Sequence, residues 1–195
     1  MDTEAVIAVL PFHRVSSTLH KGPILIVCYS LEAMKPITPE WHNEDQIEAV
    51  TRTWLTSHGW QVQHRQGQSG ADISAVDRNN TQWLFEVKGY PATYKKLDGV
   101  TKSESSKRAQ RRTWFIEALG QIVSRINEPD LRVGIVFPDH PTDKYFQTAT
   151  QSLPQFLREK LRLWVFLIDQ TGAARVLRPN GTHFEDTAHA KLFEA

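Results

Sequence analysis

The chain has 195 residues, of which 40% are hydrophobic and 23% are charged, and its formal net charge at pH 7 is +1. This length allows one sizeable hydrophobic core and argues against two full domains, while the near-neutral charge neither requires nor excludes a nucleic-acid partner. The single cysteine, Cys28, excludes an internal disulfide and a cysteine-based zinc site, and it fits a reducing, cytoplasmic environment.

Two short apolar runs, AVIAVL (5–10) and PILIVCY (23–29), predict strands in an N-terminal β extension that covers residues 1–37. Both are far shorter than the roughly 20 apolar residues that cross a bilayer, so we expect no membrane partner. Thr38 followed by Pro39 then predicts the start of a helix, which carries apolar residues at helical spacing and ends at Gly59.

Three strands are predicted after this helix, separated by polar or glycine-containing turns. They are WQVQHR (60–65), ADISAV (71–76) and QWLFEVKG (82–89). The segment 89–106 is rich in Lys, Ser and Thr, and predicts a mobile loop. A long helix with one apolar stripe is predicted at about 107–127.

The rest of the chain continues the alternation of strands and helices. LRVGIVF (131–137) and LWVFLI (163–168) predict strands buried on both faces, and ARVLRP (174–179) predicts an edge strand. A Ser-x-x-Gln capping box at 152–155 predicts a short helix that ends near Leu161. We therefore expect an α/β fold, a mixed sheet flanked by helices, in one domain (1–195) with a core at 38–137 and a C-terminal α/β extension at 138–195.

Charged residues at the end of the third predicted strand carry the functional signal. Glu86 and Lys88 are two residues apart and therefore share a face of the strand. If the preceding turn is centred on Asn79, antiparallel pairing places Asp72 opposite Glu86. Two facing carboxylates repel unless a cation lies between them, and an oxygen-only pair suits Mg²⁺. The alternative is an ordinary solvent-facing ion pair, which is what Glu-x-Lys on a strand most often forms.

The sequence of Asp72, thirteen residues and then Glu86-Val87-Lys88 resembles the motif of the PD-(D/E)XK nuclease superfamily, whose members have the restriction-endonuclease-like fold. The resemblance covers roughly residues 44–137. The stretch IEAVTRTWLTSHGWQVQHRQGQSGADISAV is similar to Holliday-junction resolvases and Mrr-like restriction enzymes. This resemblance implies an α-β-β-β-α-β core and a Mg²⁺ ion, for which Mn²⁺ would substitute, held by Asp72, Glu86 and the Val87 carbonyl.

Residues outside the strand motif are also implied by the resemblance. The family takes a further metal-binding acid from the first helix, and the spacing selects Glu48, with Glu44 as the alternative. A glutamine on the later helix matches Gln121 in EALGQIVSRI, although a polar residue at a helix margin is an equally good explanation. Two positions depart from the family pattern: Ala71 stands where proline is common, and Arg125 stands where some members have tyrosine.

Positive charge is concentrated directly after the motif. Between residues 88 and 112, eight basic and two acidic residues give +6, which leaves −5 for the rest of the chain. Cations in the first turns of a helix are opposed by the helix dipole, and phosphate contact would offset that cost. We therefore expect this segment to bind nucleic acid, although a solvated basic face is the simpler alternative. The candidate residues besides Lys88 are Lys95, Lys96, Lys102, Lys107, Arg108, Arg111 and Arg112, with Tyr90 and Tyr94 as weaker candidates for base stacking.

The resemblance implies a metal-dependent endonuclease that hydrolyses DNA phosphodiester bonds, with Lys88 orienting the attacking water. RNA is an alternative substrate, and a homodimer is compatible with this assignment. A non-cleaving nucleic-acid-binding subunit on the same scaffold is the main alternative function, and a protein-interaction module is another. The intact carboxylates favour the enzyme, because a binding module would gain affinity for phosphate by losing them. Motifs typical of zinc proteases, serine hydrolases and nucleotide-binding loops are absent from the sequence.

Overall fold

The computed structural model describes residues 42–63, 70–93, 100–126 and 130–187. All of them lie within the compact unit Ile37–Ala195. The strands predicted at 5–10 and 23–29 lie outside the described residues, as does Thr38. Within the described ranges, four helices flank one mixed sheet of seven strands, so the predicted α/β class is confirmed. The order of the first elements, α-β-β-β-α-β, is also as predicted.

The strands follow one another across the sheet in chain order. The third, fourth and fifth strands are parallel neighbours, and all other neighbours are antiparallel. Parallel strands end at the same edge of a sheet, so the residues that follow the third and fourth strands meet there. The strands are β1 (Gln61–Gln63), β2 (Ile73–Val76), β3 (Gln82–Val87), β4 (Arg132–Pro138), β5 (Leu163–Ile168), β6 (Ala174–Leu177) and β7 (Glu185–Asp186). The prediction of an edge strand at 174–179 is wrong, because β6 lies between β5 and β7.

The helices are α1 (Glu44–Ser57), α2 (Glu104–Arg125), α3 (Tyr145–Gln151) and α4 (Gln155–Lys160). The predicted helix start at Thr38 is wrong, since α1 begins after Asn43, whose side chain accepts a hydrogen bond from the Gln46 amide at 2.9 Å. The start of α2 is three residues earlier than predicted, because the Ser103 hydroxyl caps it by accepting from the Ser106 amide at 3.2 Å. None of the described helices combines the length and apolar character that crossing a membrane requires.

The capping box predicted at 152–155 does not form. Ser152 instead follows the end of α3, and its hydroxyl donates to the Thr148 carbonyl at 2.8 Å. Pro154 precedes α4, which has no side-chain cap. The Ser-x-x-Gln pattern was read without knowledge of α3, because the polar residues of that helix gave no helical signal. Ser152 therefore ends one helix and does not begin the next.

Each face of the sheet carries its own apolar cluster. On one face, Trp83 and Phe85 of β3 pack with α1 residues such as Trp54, and neither β3 side chain is accessible to solvent. On the other face, Ile135 of β4 packs with Ile122 of α2. Complete burial of such side chains contributes about 1.5–3 kcal/mol each, so this packing fixes α1 and α2 on opposite faces of β3.

Candidate active site

The hairpin between β2 and β3 has the register that the sequence predicts. Asp77 shapes its turn, because Oδ1 accepts hydrogen bonds from the amides of Asn79 and Thr81, each at 2.9 Å. Extending the register by one residue beyond the last pair places Asp72 opposite Glu86, as expected from a turn centred on Asn79. The paired residues are Val76 with Gln82, Ala75 with Trp83, Ser74 with Leu84 and Ile73 with Phe85.

Asp72 is joined directly to the end of β3. Its side chain is nearly buried, with 8% of the residue exposed, and Oδ2 accepts a hydrogen bond from the Val87 amide at 2.7 Å. Val87 separates Glu86 from Lys88 in the chain. The hydrogen bond therefore holds the carboxylate of one strand against the charged end of the next.

Glu86 and Lys88 form a buried ion pair rather than the solvent-facing pair that was the simpler alternative. Glu86 is 1% exposed and Lys88 is 8% exposed, and Lys88 Nζ donates to Glu86 Oε1 at 2.6 Å. The Lys88 amide also donates to the Val136 carbonyl at 3.0 Å, which continues the β3–β4 pairing past the end of β3. Burying two charges costs free energy that an ordinary surface pair avoids.

Arg125, noted in the sequence only as a departure from the family pattern, takes part in this cluster. Its Nη1 forms an ion pair with Glu86 Oε2, and its Nη2 donates to the Gly70 carbonyl at 2.7 Å. Glu86 is therefore held by a cation on each carboxylate oxygen. The sequence placed Arg125 on the long helix, but no local pattern indicated that this turn of α2 faces Glu86.

The first residue of α1 lies close to the same cluster. A Cβ atom on Gly89 would lie 2.5 Å from the Glu44 backbone nitrogen, and the Tyr90 amide donates to the His42 carbonyl at 2.8 Å. The missing side chain at Gly89 therefore allows the start of α1 to pack against the end of β3.

Glu44 responds electrostatically to the cluster. Glu44 is partly exposed to solvent, but the pKa of its carboxyl is raised above the ordinary value. Partial burial is the largest cause, and the neighbouring carboxylates of Asp72 and Glu86 also raise this pKa, while Lys88 lowers it. Glu44 is therefore the acid of α1 whose charge is coupled to both strand acids.

Glu48, the acid selected by the family spacing, has a different neighbour. Glu48 Oε1 accepts from Arg52 Nε at 2.9 Å, and Arg52 also donates to the Asp72 carbonyl at 2.7 Å. Glu48 thus orients the arginine that anchors the Asp72 backbone. Gln121 is exposed on α2, and no hydrogen bond or ion pair within the described ranges joins its side chain to the acids.

Apart from Lys107, which forms an ion pair with Glu104 at 3.0 Å, the predicted basic residues divide into three groups. Lys95 and Lys96 lie outside the described residues, as does Tyr94. Arg108 and Arg112 are exposed on α2, and the Lys102 amine donates to Gln110 Oε1 at 3.0 Å. Arg111 is buried, where it donates to the Tyr90 hydroxyl at 2.5 Å and forms an ion pair with Asp143.

The helix-dipole cost inferred from these cations is smaller than the sequence suggested. Because α2 begins at Glu104, Arg111 and Arg112 lie beyond its first turn, where the dipole effect is weak. Asp143 also neutralises Arg111. Phosphate binding is therefore an expectation for the exposed cations, while Arg111 primarily joins α2 to the end of β3.

The donor atoms that the structure brings together suit a hard cation. Within the described ranges, no group of three or more His, Cys, Asp or Glu residues could hold a metal ion. Asp72 and Glu86 with the Val87 backbone nevertheless form an oxygen-only set, and Mg²⁺ needs only one or two carboxylates because it keeps several waters. The chemistry fits Mg²⁺ or Mn²⁺ and does not fit zinc.

Comparisons with known proteins give two structural similarities. No protein-family model matches the chain, and no curated protein matches it significantly. An XisH family protein from Nostoc punctiforme is 18% identical, with a TM-score of 0.35 over 64% of this chain and 91% of that chain. An fdxN element excision controlling factor protein from Anabaena variabilis is 21% identical, with a TM-score of 0.36 over 65% of this chain and 92% of that chain. Similarities this distant assign no role to the site, so its chemistry is inferred from the residues described above.

Proposed function

We propose that this protein is a Mg²⁺-dependent nuclease of the PD-(D/E)XK type that hydrolyses phosphodiester bonds in DNA. The buried cluster of Asp72, Glu86 and Lys88 supports this proposal, because the three residues lie at one end of β3 and are each at most 8% exposed. Apolar residues of similar size often stabilise a fold as well as a buried ion pair does. A catalytic role therefore explains the buried charges at this position better than a contribution to stability does.

Each residue of the cluster has a role in the proposed reaction. Asp72, Glu86 and the Val87 carbonyl would hold Mg²⁺, with Glu44 as the helix acid that the electrostatics favour and Glu48 as the one that the family spacing favours. When bound, Mg²⁺ lowers the pKa of a water ligand and stabilises negative charge on a phosphate. Lys88, held 2.6 Å from Glu86, would orient the attacking water and place a positive charge near the phosphate.

The proposed DNA surface adjoins this cluster. The hydrogen bond from Arg111 to Tyr90 shows that α2 meets the chain two residues after Lys88. Arg108 and Arg112 extend from the same helix into solvent. Phosphate contacts by such residues would make DNA binding strongly dependent on salt.

Substitution of the cluster tests the proposal. Asp72→Ala should abolish Mg²⁺-dependent cleavage, because it removes a proposed metal-binding carboxylate. Lys88→Ala should reduce cleavage at least about 100-fold, since a positioned group that assists proton transfer contributes roughly 10²–10⁴-fold. Most DNA binding and the folded state should remain. Suitable substrates are linear, nicked, branched and single-stranded DNA, with Mg²⁺ or Mn²⁺. Asp130→Ala and Lys160→Ala, which remove exposed charges of the same types, are the matched controls. Equal cleavage by the wild type and both cluster variants would reject the proposal.

A non-cleaving nucleic-acid-binding subunit is the second candidate. It is favoured by the pairing of both Glu86 oxygens with cations, because this arrangement neutralises the acid without a metal. Salt-dependent DNA binding by the wild type without cleavage in either metal would identify this function.

A further inference from the structure

A cavity of about 460 Å³ lies beside the proposed active site. It is lined by the start of α2, by Tyr90 after β3, and by the segment after β4 that contains His140. Asp72, Glu86 and Lys88 do not line it. Its volume is in the range of small-ligand sites, and it is separate from the carboxylate cluster.

One wall of the cavity is aromatic and firmly held. The rings of Tyr90 and His140 are stacked with centroids 4.3 Å apart, and His42 packs edge-on against both. The Tyr90 hydroxyl is hydrogen bonded to Asp143 and to Arg111. Burial and the hydrogen bond to Asp143 raise the pKa of Tyr90 to about 12, so this side chain stays neutral at physiological pH. The Tyr90 side chain therefore does not repel an anion that enters the cavity.

The hydrogen bonds of His140 indicate which ring nitrogen carries its donor. Its Nδ1 accepts from the Asp143 amide at 3.1 Å and from the Thr142 amide at 3.4 Å. These two backbone donors assign the proton of the neutral imidazole to Nε2. His140 can therefore donate to an anion without first becoming charged.

Two lysines supply positive charge at the wall. The Lys107 side chain is 15% exposed, and its partner Glu104, 3.0 Å away, is 80% exposed. Lys144 donates to Asp139 at 3.1 Å and is half exposed. Ion pairs with such an exposed acid contribute little stability, so an anion can replace Glu104 as the partner of Lys107 at low cost. Asp143, the other acid on the wall, is already neutralised by Arg111.

The cavity is close to the proposed chemistry. Tyr90 is two residues after Lys88, a separation of at most about 7 Å between Cα atoms. A nucleic-acid strand advances about 3.4 Å along its axis per nucleotide. The cavity wall at Tyr90 and Lys88 are therefore near enough in the chain to contact the same strand.

We infer that this cavity binds a backbone phosphate of the nucleic-acid substrate next to the scissile phosphate, with Lys107 and His140 as its principal donors. The inference rests on the proposed function and adds a second anchoring point for the same strand. It explains why a nearly buried lysine is paired with an acid that remains in water.

Equilibrium binding tests the inference independently of cleavage. A labelled DNA duplex is titrated with the full-length protein in the absence of divalent metal, which prevents the proposed cleavage, and fluorescence anisotropy is recorded from 50 to 200 mM salt. Lys107→Ala should weaken binding about tenfold and reduce the slope of log affinity against log salt by about 1, as expected for one lost phosphate contact. His140→Ala should weaken binding with little change in slope, because a neutral donor is lost. Lys160→Ala, an exposed lysine on α4, is the control and should change the affinity less than twofold.

The outcomes separate this inference from the proposed function. Lys107→Ala and His140→Ala proteins that bind like the control would overturn the cavity inference, even if the wild type cleaves DNA. If both variants bind DNA more weakly as predicted but the wild type never cleaves DNA, the cavity inference is supported and the proposed nuclease activity is rejected. Urea unfolding of each variant shows whether the fold is retained, and Lys107→Gln repeats the test with a side chain closer in length.

Discussion

Replacing Arg125 with alanine tests how the buried carboxylate of Glu86 is held. The change removes the ion pair to Glu86 Oε2 and the 2.7 Å hydrogen bond to Gly70, while Lys88 stays 2.6 Å from the other oxygen. Leaving a buried charge without any partner costs about 3–5 kcal/mol. Because Lys88 remains and the Arg125 side chain is 22% exposed, we expect Arg125→Ala to lower the free energy of unfolding by about 2–3 kcal/mol.

Thermal unfolding measures this loss. For a protein of this size, each kcal/mol changes Tm by about 2–4 °C, so the variant should unfold roughly 4–12 °C below the wild type. Mg²⁺ at about 100 times its Kd stabilises a protein by about 2.7 kcal/mol. Because Mg²⁺ would meet less competition at Glu86 in the variant, it should raise the Tm of the variant more than that of the wild type.

Arg108→Ala is the matched control, since it removes an exposed arginine from the same helix and should change stability by less than about 0.5 kcal/mol. If Arg125→Ala unfolds at the wild-type temperature, the guanidinium does not stabilise Glu86. If Mg²⁺ raises the Tm of Arg125→Ala and of the wild type by the same amount, Arg125 and the metal do not compete for the Glu86 carboxylate.

Two further predictions concern the surroundings of the cluster. Gly89→Ala should destabilise the protein by about 1–3 kcal/mol in urea unfolding and reduce cleavage, because the new Cβ would lie 2.5 Å from the Glu44 nitrogen. Gly120→Ala, where a Cβ meets no atom within 4 Å, should not destabilise, and equal losses in both variants would contradict the packing argument. Burial alone would raise the pKa values of Asp139 and Asp143, but hydrogen bonds from Arg175 and Tyr90, among others, outweigh it and lower both. The stability that these two carboxylates contribute should therefore be complete above the ordinary pKa of 3.8 and be lost as the pH falls below it. Asp139→Asn and Asp143→Asn should each reduce the loss of unfolding free energy at acid pH, as measured by urea unfolding over a range of pH. If the unfolding free energy of the variants falls with pH as steeply as that of the wild type, the two carboxylates do not have this role.

The β2–β3 hairpin could be predicted from the sequence because its determinants are local. A polar turn around Asn79 between two alternating apolar runs fixes the register, and the register places Asp72 opposite Glu86. The parallel strands β4 and β5 were equally clear, since nearly continuous apolar runs indicate burial on both faces.

Contacts between distant segments could not be predicted in this way. Arg125 is 39 residues from Glu86, and Arg111 is 32 residues from Asp143, so neither pair follows from a local pattern. The prediction of where α1 begins was wrong for a related reason. Thr38 and Asn43 are both good cap residues, and the packing of Gly89 against Glu44, which distinguishes them, occurs only in the folded chain.

Val87 meets two demands through different atoms. Its amide holds the Asp72 carboxylate, while its side chain is fully buried in the apolar cluster beneath α1. Every residue except proline supplies the same amide. The anchor of Asp72 therefore depends on the position of the backbone and not on the chemistry of the side chain, so an apolar replacement that fits the same space should leave the aspartate in place.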